Sequence, residues 1–343
     1  MPARNGPAAF FRQTAHVARD RWRLVFRHRI LPMARRVNHW LIAQAARLGI
    51  WLLRRLAEDR ALDASAWIAR KVGPWFGRHR TAIDNLRRAY PAKPDVEIEA
   101  IAGDMWGHMA RLAAEYIFLD RLFDYRPDDP LQGRIELDGV ERFLDLAAEV
   151  GRPHIVFTAH LGCFELLPIA CTMHGTPFTS LFRPPNNPYI ASFLHSKRTS
   201  SMGEILASDR GAAFTLSSVL EKGGNVGALV DQKFRNGIAT TFFGRPCESN
   251  PIVPMLARRF DCEVYPARCI RLPNNRYRLA IEEPLKLARN ADGDIDVAAA
   301  TQQLADTVER WVREDPAQWM WFHKRWAISD RNRHRRRPPK RAA

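Results

Sequence analysis

The strongest constraint on how this chain can fold is a six-residue apolar run, His154-Ile155-Val156-Phe157-Thr158-Ala159, that delivers a histidine. The run is short and β-branched, and Gly151-Arg152-Pro153 precedes it. That pattern predicts a buried strand of a parallel sheet, where both faces are covered and polar alternation disappears. The residues that follow are His160-Leu161-Gly162-Cys163-Phe164-Glu165. A histidine at the carboxyl end of such a strand stands where open α/β sheets place their chemistry. Glu165 lies five positions on, too far round one continuous helix for the two side chains to meet. They meet only if His160 stays on the strand end while Glu165 enters the first turn of the next helix. A histidine oriented by a carboxylate takes a proton from a hydroxyl, so His160 and Glu165 form the candidate catalytic pair. The bland alternative is a capped core histidine and a solvated first-turn glutamate; the preceding strand and Gly162 favour chemistry. Cys163 offers a rival Cys–His nucleophile pair, but its apolar neighbours suit packing better.

The formal charge of +16 suggests nucleic acid until it is located. Residues 1–36 carry +8 and residues 331–343 carry +7, which leaves the body at +1. The basicity belongs to two terminal arms and not to a groove. Such arms suit an anionic membrane surface or nucleic acid equally by charge. Apart from Phe10, Phe11, Trp22 and Phe26 they lack interleaved aromatics for base stacking, which argues against nucleic acid. The tail from Arg331 onward is expected to be disordered. The five cysteines show no CxxC pairing, which argues against a zinc site or a disulfide framework and suits a reducing compartment. No cleavable signal peptide is evident.

Residues 40–56 are apolar at Trp40, Leu41, Ile42, Leu48, Ile50, Trp51, Leu52 and Leu53, but Gln44 and Arg47 interrupt them. A spanning helix wants about 20 mostly apolar residues. Gln44, Arg47, Arg54 and Glu58 fall near one helical face, so the expectation is an interfacial helix that lies on or dips into a bilayer. Further helices are expected over 61–72, 81–89, 95–122, 138–150, 214–220 and 297–313. Strands are expected at 178–182 and 226–230, and a pair at 263–270 and 277–281. Gly223, Gly224 and Gly227 precede a strand and do not open a helix, so they form no dinucleotide loop. Strand–helix alternation predicts an α/β fold: a mostly parallel central sheet flanked by helices, with an amino-terminal helical, membrane-contacting leader. The expected division is a basic arm (1–36), a helical leader (37–126), an α/β domain (127–328) and a basic tail (329–343).

Several blocks, in order, resemble the lipid A late acyltransferases, within the wider superfamily that carries an H-x4-D/E motif. They are Asn85-Leu86-Arg87-Arg88-Ala89-Tyr90-Pro91 with Glu115, the stretch from His160 to Glu165, and Leu181-Phe182-Arg183-Pro184 with Asn187-Pro188. Val226 to Gln232 with Phe242-Phe243-Gly244, and Pro316-Ala317-Gln318-Trp319-Met320-Trp321 with His323-Lys324-Arg325-Trp326, complete the set. The resemblance spans about residues 40 to 327. It implies acyl transfer from an acyl carrier protein thioester to a hydroxyl of a lipid A precursor, an anionic glycolipid, at the cytoplasmic face of the inner membrane. It implies His160 as general base with Glu165 its orienting partner. Arg183, Arg198 and Asp231 are the implied substrate-binding residues, with Arg210 competing for the place of Arg198. The long arginine-rich arm, the arginine inside the apolar leader and the basic tail depart from the family pattern.

A thioester is already activated, so the chemistry calls for no metal, cofactor or covalent enzyme intermediate. It needs a base on the hydroxyl and donors for the developing oxyanion. Competing readings are transfer to another envelope lipid, a thioesterase or hydrolase using His160 with Cys163, a nucleic-acid-binding protein, and a non-catalytic lipid-binding module.

Overall fold

The computed structural model describes residues 26, 30–129, 132–139, 141–142, 151–176, 178–182, 185, 187–199, 205–207 and 211–326. The basic tail and most of the basic arm, including Phe10, Phe11 and Trp22, lie outside them, as do Arg183 and Arg210. The chain divides into two compact units, residues 1–52 with 185–193, and residues 53–184 with 194–343.

The first unit holds helix α1 (Leu31–Leu53), and Asn187 donates its amide to the His39 carbonyl at 2.9 Å. Helix α1 exposes Met33, Trp40, Leu41, Leu48, Trp51 and Leu52. Arg54 and Glu58 lie beyond its end, so they do not share its polar face. Among the described residues no helix is long and apolar enough to cross a membrane.

The second unit opens with helices α2 (Glu58–Val72), α3 (Gly77–Ala89) and α4 (Asp95–Leu122). Pro91 and Pro94 separate α3 from α4, and Asp95 and Glu97 complement the amino-terminal end of α4. The strands are β1 (Ile135–Asp138), β2 (Ile155–Thr158), β3 (Phe178–Phe182), β4 (Ile205–Ala207), β5 (Asn225–Leu229), β6 (Ile238–Phe242), β7 (Arg245–Ser249), β8 (Val264–Leu272) and β9 (Arg276–Ile281). Helices α5 (Leu166–Met173), α6 (Pro188–Thr199), α7 (Ala212–Glu221) and α8 (Ile252–Phe260) connect them, and α9 (Val297–Glu314) follows β9. Seven strands form one sheet in the order β1-β9-β8-β2-β5-β3-β4, and β6 pairs with β7 in a hairpin. Every pair in the large sheet is parallel except β8 with β9. The expected mostly parallel sheet is therefore present.

Most expected elements stand within a few residues of their predicted ends. Of the helix expected over 138–150, Asp138 instead closes β1, Glu141 and Arg142 are helical, and residues 143–150 lie outside the described residues. Strands β1 and β4, the β6–β7 hairpin, and helices α6 and α8 had no counterpart among the elements expected from sequence. Helices α3 and α4 share one core with the sheet. Leu86, Ile98 and Met105 are buried in the same cluster as Ile155, Phe157, Val226, Trp311 and Trp319. Helix α9 starts cleanly because the Asp296 side chain accepts from the backbone N–H groups of Ala298 and Ala299.

Helix α4 also buries a histidine under strain of charge. Nδ1 of His108 is buried without a hydrogen-bond partner among the described residues. Burial first, then the neighbouring Arg271, Arg111 and Arg70, push its pKa from 6.5 down to about 3. In the unfolded chain His108 takes up a proton as pH falls through about 6.5, whereas the folded chain refuses it until about 3. Stability is therefore lost as pH falls across that window, at up to about 1.4 kcal/mol per pH unit. Urea unfolding at pH 7 and pH 5 should show wild type losing on the order of 1–2 kcal/mol more than His108→Gln. Parallel losses in the two proteins would show that His108 carries no such penalty.

Candidate active site

Strand register brings the reacting side chains together. Strands β2 and β5 are parallel neighbours, and Thr158 lies opposite Leu229. Two residues further along each strand stand His160 and Asp231, at adjacent carboxyl ends. Nδ1 of His160 donates to Asp231 Oδ1 at 2.8 Å, and the His160 backbone N–H donates to Oδ2 at 3.0 Å. The Trp319 indole N–H donates to the same Oδ2 at 2.8 Å. Burial would push the Asp231 carboxyl up, but the His160 ring beside it and these N–H bonds hold it down at about 2. An ionised Asp231 selects the Nδ1–H tautomer of His160, which leaves the lone pair on Nε2.

The amide nitrogen of Gln232 lies 3.2 Å from His160 Nε2 and 3.5 Å from Nδ1. A donor in the ring plane on one nitrogen's lone pair would be far from the other nitrogen. Near-equal separations put the amide over the face of the ring, so it does not consume the Nε2 lone pair. Phe164 packs edge-on to the same ring with centroids 5.2 Å apart.

Glu165 takes a different place from the one its spacing suggested. It precedes α5, is buried, and accepts a hydrogen bond from the Tyr116 hydroxyl of α4. The bond that orients His160 goes to Asp231 and not to Glu165. Asp231 in turn is only 2% exposed, with both oxygens taken by N–H donors, which corrects its expected place among residues that touch substrate. Arg198 lies on α6, and Arg183 falls outside the described residues.

The loop from His160 to Glu165 is clamped from below. Gly162 has φ +60°, and a Cβ there would lie 2.0 Å from the Cys269 carbonyl oxygen, so only glycine fits. Its N–H donates to the Gln318 carbonyl, and the Gln318 side chain pairs with both backbone groups of Arg271. Arg271 makes a two-pronged bond to Glu115 at 2.8 and 2.6 Å, and Tyr277 donates to the same carboxylate. Burial is the largest influence and opposes the ionised Glu115, but the Arg271 charge and the hydrogen bonds from Arg271, Cys163 and Tyr277 together hold the carboxyl below its ordinary range. Cys163 is fully buried against this cluster, and burial, then Glu115, pushes its thiol well up. A buried neutral thiol is not a nucleophile, which overturns the Cys163 alternative.

The separated sequence blocks converge here. Asn85 donates to the carbonyls of Trp321 and His323, at 2.7 and 2.6 Å. His323 Nε2 accepts the Lys233 N–H at 3.1 Å, and burial, chiefly, lowers the pKa of its ring. Buried Arg325 donates to the Glu248 carbonyl and the Ser249 hydroxyl. Trp319, Tyr116, Gln232 and His323 were not singled out as site residues from the sequence. Gln232, Trp319 and His323 do lie in the blocks that carry the resemblance, which was the available signal; Tyr116 had only its neighbour Glu115.

A cavity of about 720 Å³ opens beside His160. One face of the sheet supplies Val156, Thr158, Ser180, Gly227 and Leu229, and Leu167, Pro168 and Cys171 of α5 cover it. His160, Glu165, Gln232, Lys233 and Asn250 make its polar end. Gly227 keeps the slot open, since a Cβ there would meet the Ser180 hydroxyl at 2.7 Å.

The family model for bacterial lipid A biosynthesis acyltransferases matches residues 29–327. A lipid A biosynthesis acyltransferase from Haemophilus influenzae is 24% identical over 260 residues, 74% of this chain and 78% of that protein. The match runs through every block described above, from the first helices to the closing tryptophans, and so this chain belongs to the bacterial lipid A biosynthesis acyltransferase family and is an acyltransferase.

Proposed function

We propose that this enzyme moves a fatty acyl chain from an acyl carrier protein thioester to a hydroxyl of a phosphorylated lipid A precursor. The reading is carried by one observation: a histidine fixed by a buried carboxylate opens onto an apolar slot. The acyl chain lies in the slot and its thioester carbonyl comes to the polar end. His160 Nε2 takes the proton of the acceptor hydroxyl as the oxygen attacks that carbonyl. Asp231 holds the ring in place and stabilises the imidazolium, as in a catalytic triad without its serine. We therefore assign Asp231 the orienting role expected of Glu165 from its spacing and the resemblance. The Gln232 amide is a side-chain donor at the cavity's polar end and faces the developing oxyanion. Collapse of the intermediate expels the carrier's thiolate, which recovers the proton from His160, leaving an ester and a free thiol.

Arg183 and Arg198 keep the role the resemblance implies, contact with phosphate groups of donor or acceptor. The exposed tryptophans and leucines of α1, interspersed with arginine, support contact with the cytoplasmic face of the inner membrane, where both substrates meet.

The test is acyl transfer in detergent micelles, with carrier thioesters of graded length, a phosphorylated precursor, and mass spectrometry of the lipid. Wild type should yield an acylated lipid and His160→Ala none. Equal transfer by both would end the reading, and free fatty acid without acylated lipid would make the enzyme a hydrolase. Asp231→Asn should lower kcat by about 10²–10⁴, and Glu165→Gln by much less. The reverse order would return the orienting role to Glu165. Gly227→Ala should shift the preferred donor toward shorter chains, because its new methyl obstructs the slot at Ser180. An unchanged length profile would place the acyl chain elsewhere.

A further inference from the structure

A second surface of the second unit carries the marks of a lipid-facing patch. From Ala64 to Arg80 the chain has no Asp or Glu, while it carries Arg70, Lys71, Arg78 and Arg80. This stretch covers the end of α2, the tight turn Gly73–Trp75 and the start of α3. It also exposes Trp67 (63%), Ile68 (50%), Trp75 (84%) and Phe76 (56%). Isolated exposed apolar residues need no explanation, but four large ones within ten residues do. Arg70 is engaged by Asp104 and His79 by Glu99. Lys71 and Arg80 have no carboxylate partner among the described residues.

Phe76 links the patch to the active site through a chain of ring contacts. Phe76 packs on Trp106 with centroids 5.6 Å apart, and Trp106 stacks on Phe322 at 5.4 Å. The Arg78 guanidinium lies 5.5 Å over the Phe322 ring. The next residue, His323, accepts the Lys233 N–H at the polar end of the cavity. Exposed indoles beside unpaired cations match the headgroup region of an anionic bilayer, where the rings enter the interface and the cations meet phosphate.

We propose that Trp67, Ile68, Lys71, Trp75, Phe76 and Arg80 form a membrane-docking patch for anionic phospholipid. The patch is separate from α1 and seats the active site against the leaflet that holds the acceptor. The proposal rests on the membrane contact proposed above.

Sedimentation of the full chain with vesicles of phosphatidylcholine, with and without phosphatidylglycerol, tests it. Trp67→Ser/Trp75→Ser should weaken binding to the anionic vesicles by at least about tenfold, since both indoles leave the interface. Lys71→Gln/Arg80→Gln should reduce the preference for anionic over neutral vesicles. Transfer in detergent micelles, including KM for the carrier thioester, should stay at wild-type values in both. If wild type binds neither vesicle, membrane contact itself fails and the patch with it. If wild type binds and the tryptophan variant binds equally well, the patch alone is refuted, with Trp40→Ser/Trp51→Ser showing whether α1 accounts for binding. Unchanged vesicle binding with a raised KM for the thioester would overturn the proposal and make the patch a docking face for the acidic carrier.

Discussion

A carboxylate sealed from water and held ionised by three N–H donors is the interaction on which the site depends. Asp231 receives the His160 ring, the His160 backbone and the Trp319 indole. Desolvation alone would neutralise it, and a neutral carboxyl would not fix the histidine tautomer. The donors outweigh desolvation, so the proton stays on Nδ1 and the lone pair stays on Nε2. The donors come from two distant parts of the chain, His160 and Trp319, so the full set of bonds forms only in the finished fold. Removing one N–H donor leaves a buried carboxylate under-satisfied, at a cost of about 1–3 kcal/mol or more, which makes this part of the core and the chemistry one structure.

The slot beside it follows from the same sheet. Alternation along parallel β2, β3 and β5 turns Val156, Ser180 and Gly227 to one face, and α5 roofs it. A glycine in mid-strand weakens a strand, and here the lost side chain becomes volume for a ligand. For the proposed transfer, an apolar slot suits the acyl chain of the donor. The buried Glu115–Arg271 pair beneath the loop holds Gly162 and Cys163 in place, which is why Cys163 packs and does not react.

Much of this was legible in the residues. The apolar run before His160 and the run before Asp231 read as buried strands, and both are central. Periodicity and prolines placed α4 at its observed ends. The partner of His160 was not legible, because sequence spacing ranks Glu165 at five residues above Asp231 at 71. Only strand adjacency reverses that order, and periodicity does not say which strands are neighbours. The β6–β7 hairpin escaped for a similar reason: its polar edge residues carry no buried-strand signature. Of the basic aromatic stretch at 64–80, residues 64–72 were read as ordinary helix and 73–80 were given no element, since exposure and not composition distinguishes an interface from a core.

The most direct test of the account is the tautomer of His160, read by nitrogen-15 NMR of histidine-labelled enzyme. The account predicts a protonated Nδ1 and a bare Nε2 in wild type and in Glu165→Gln, with that state lost in Asp231→Asn. A tautomer that survives Asp231→Asn and changes in Glu165→Gln would contradict it.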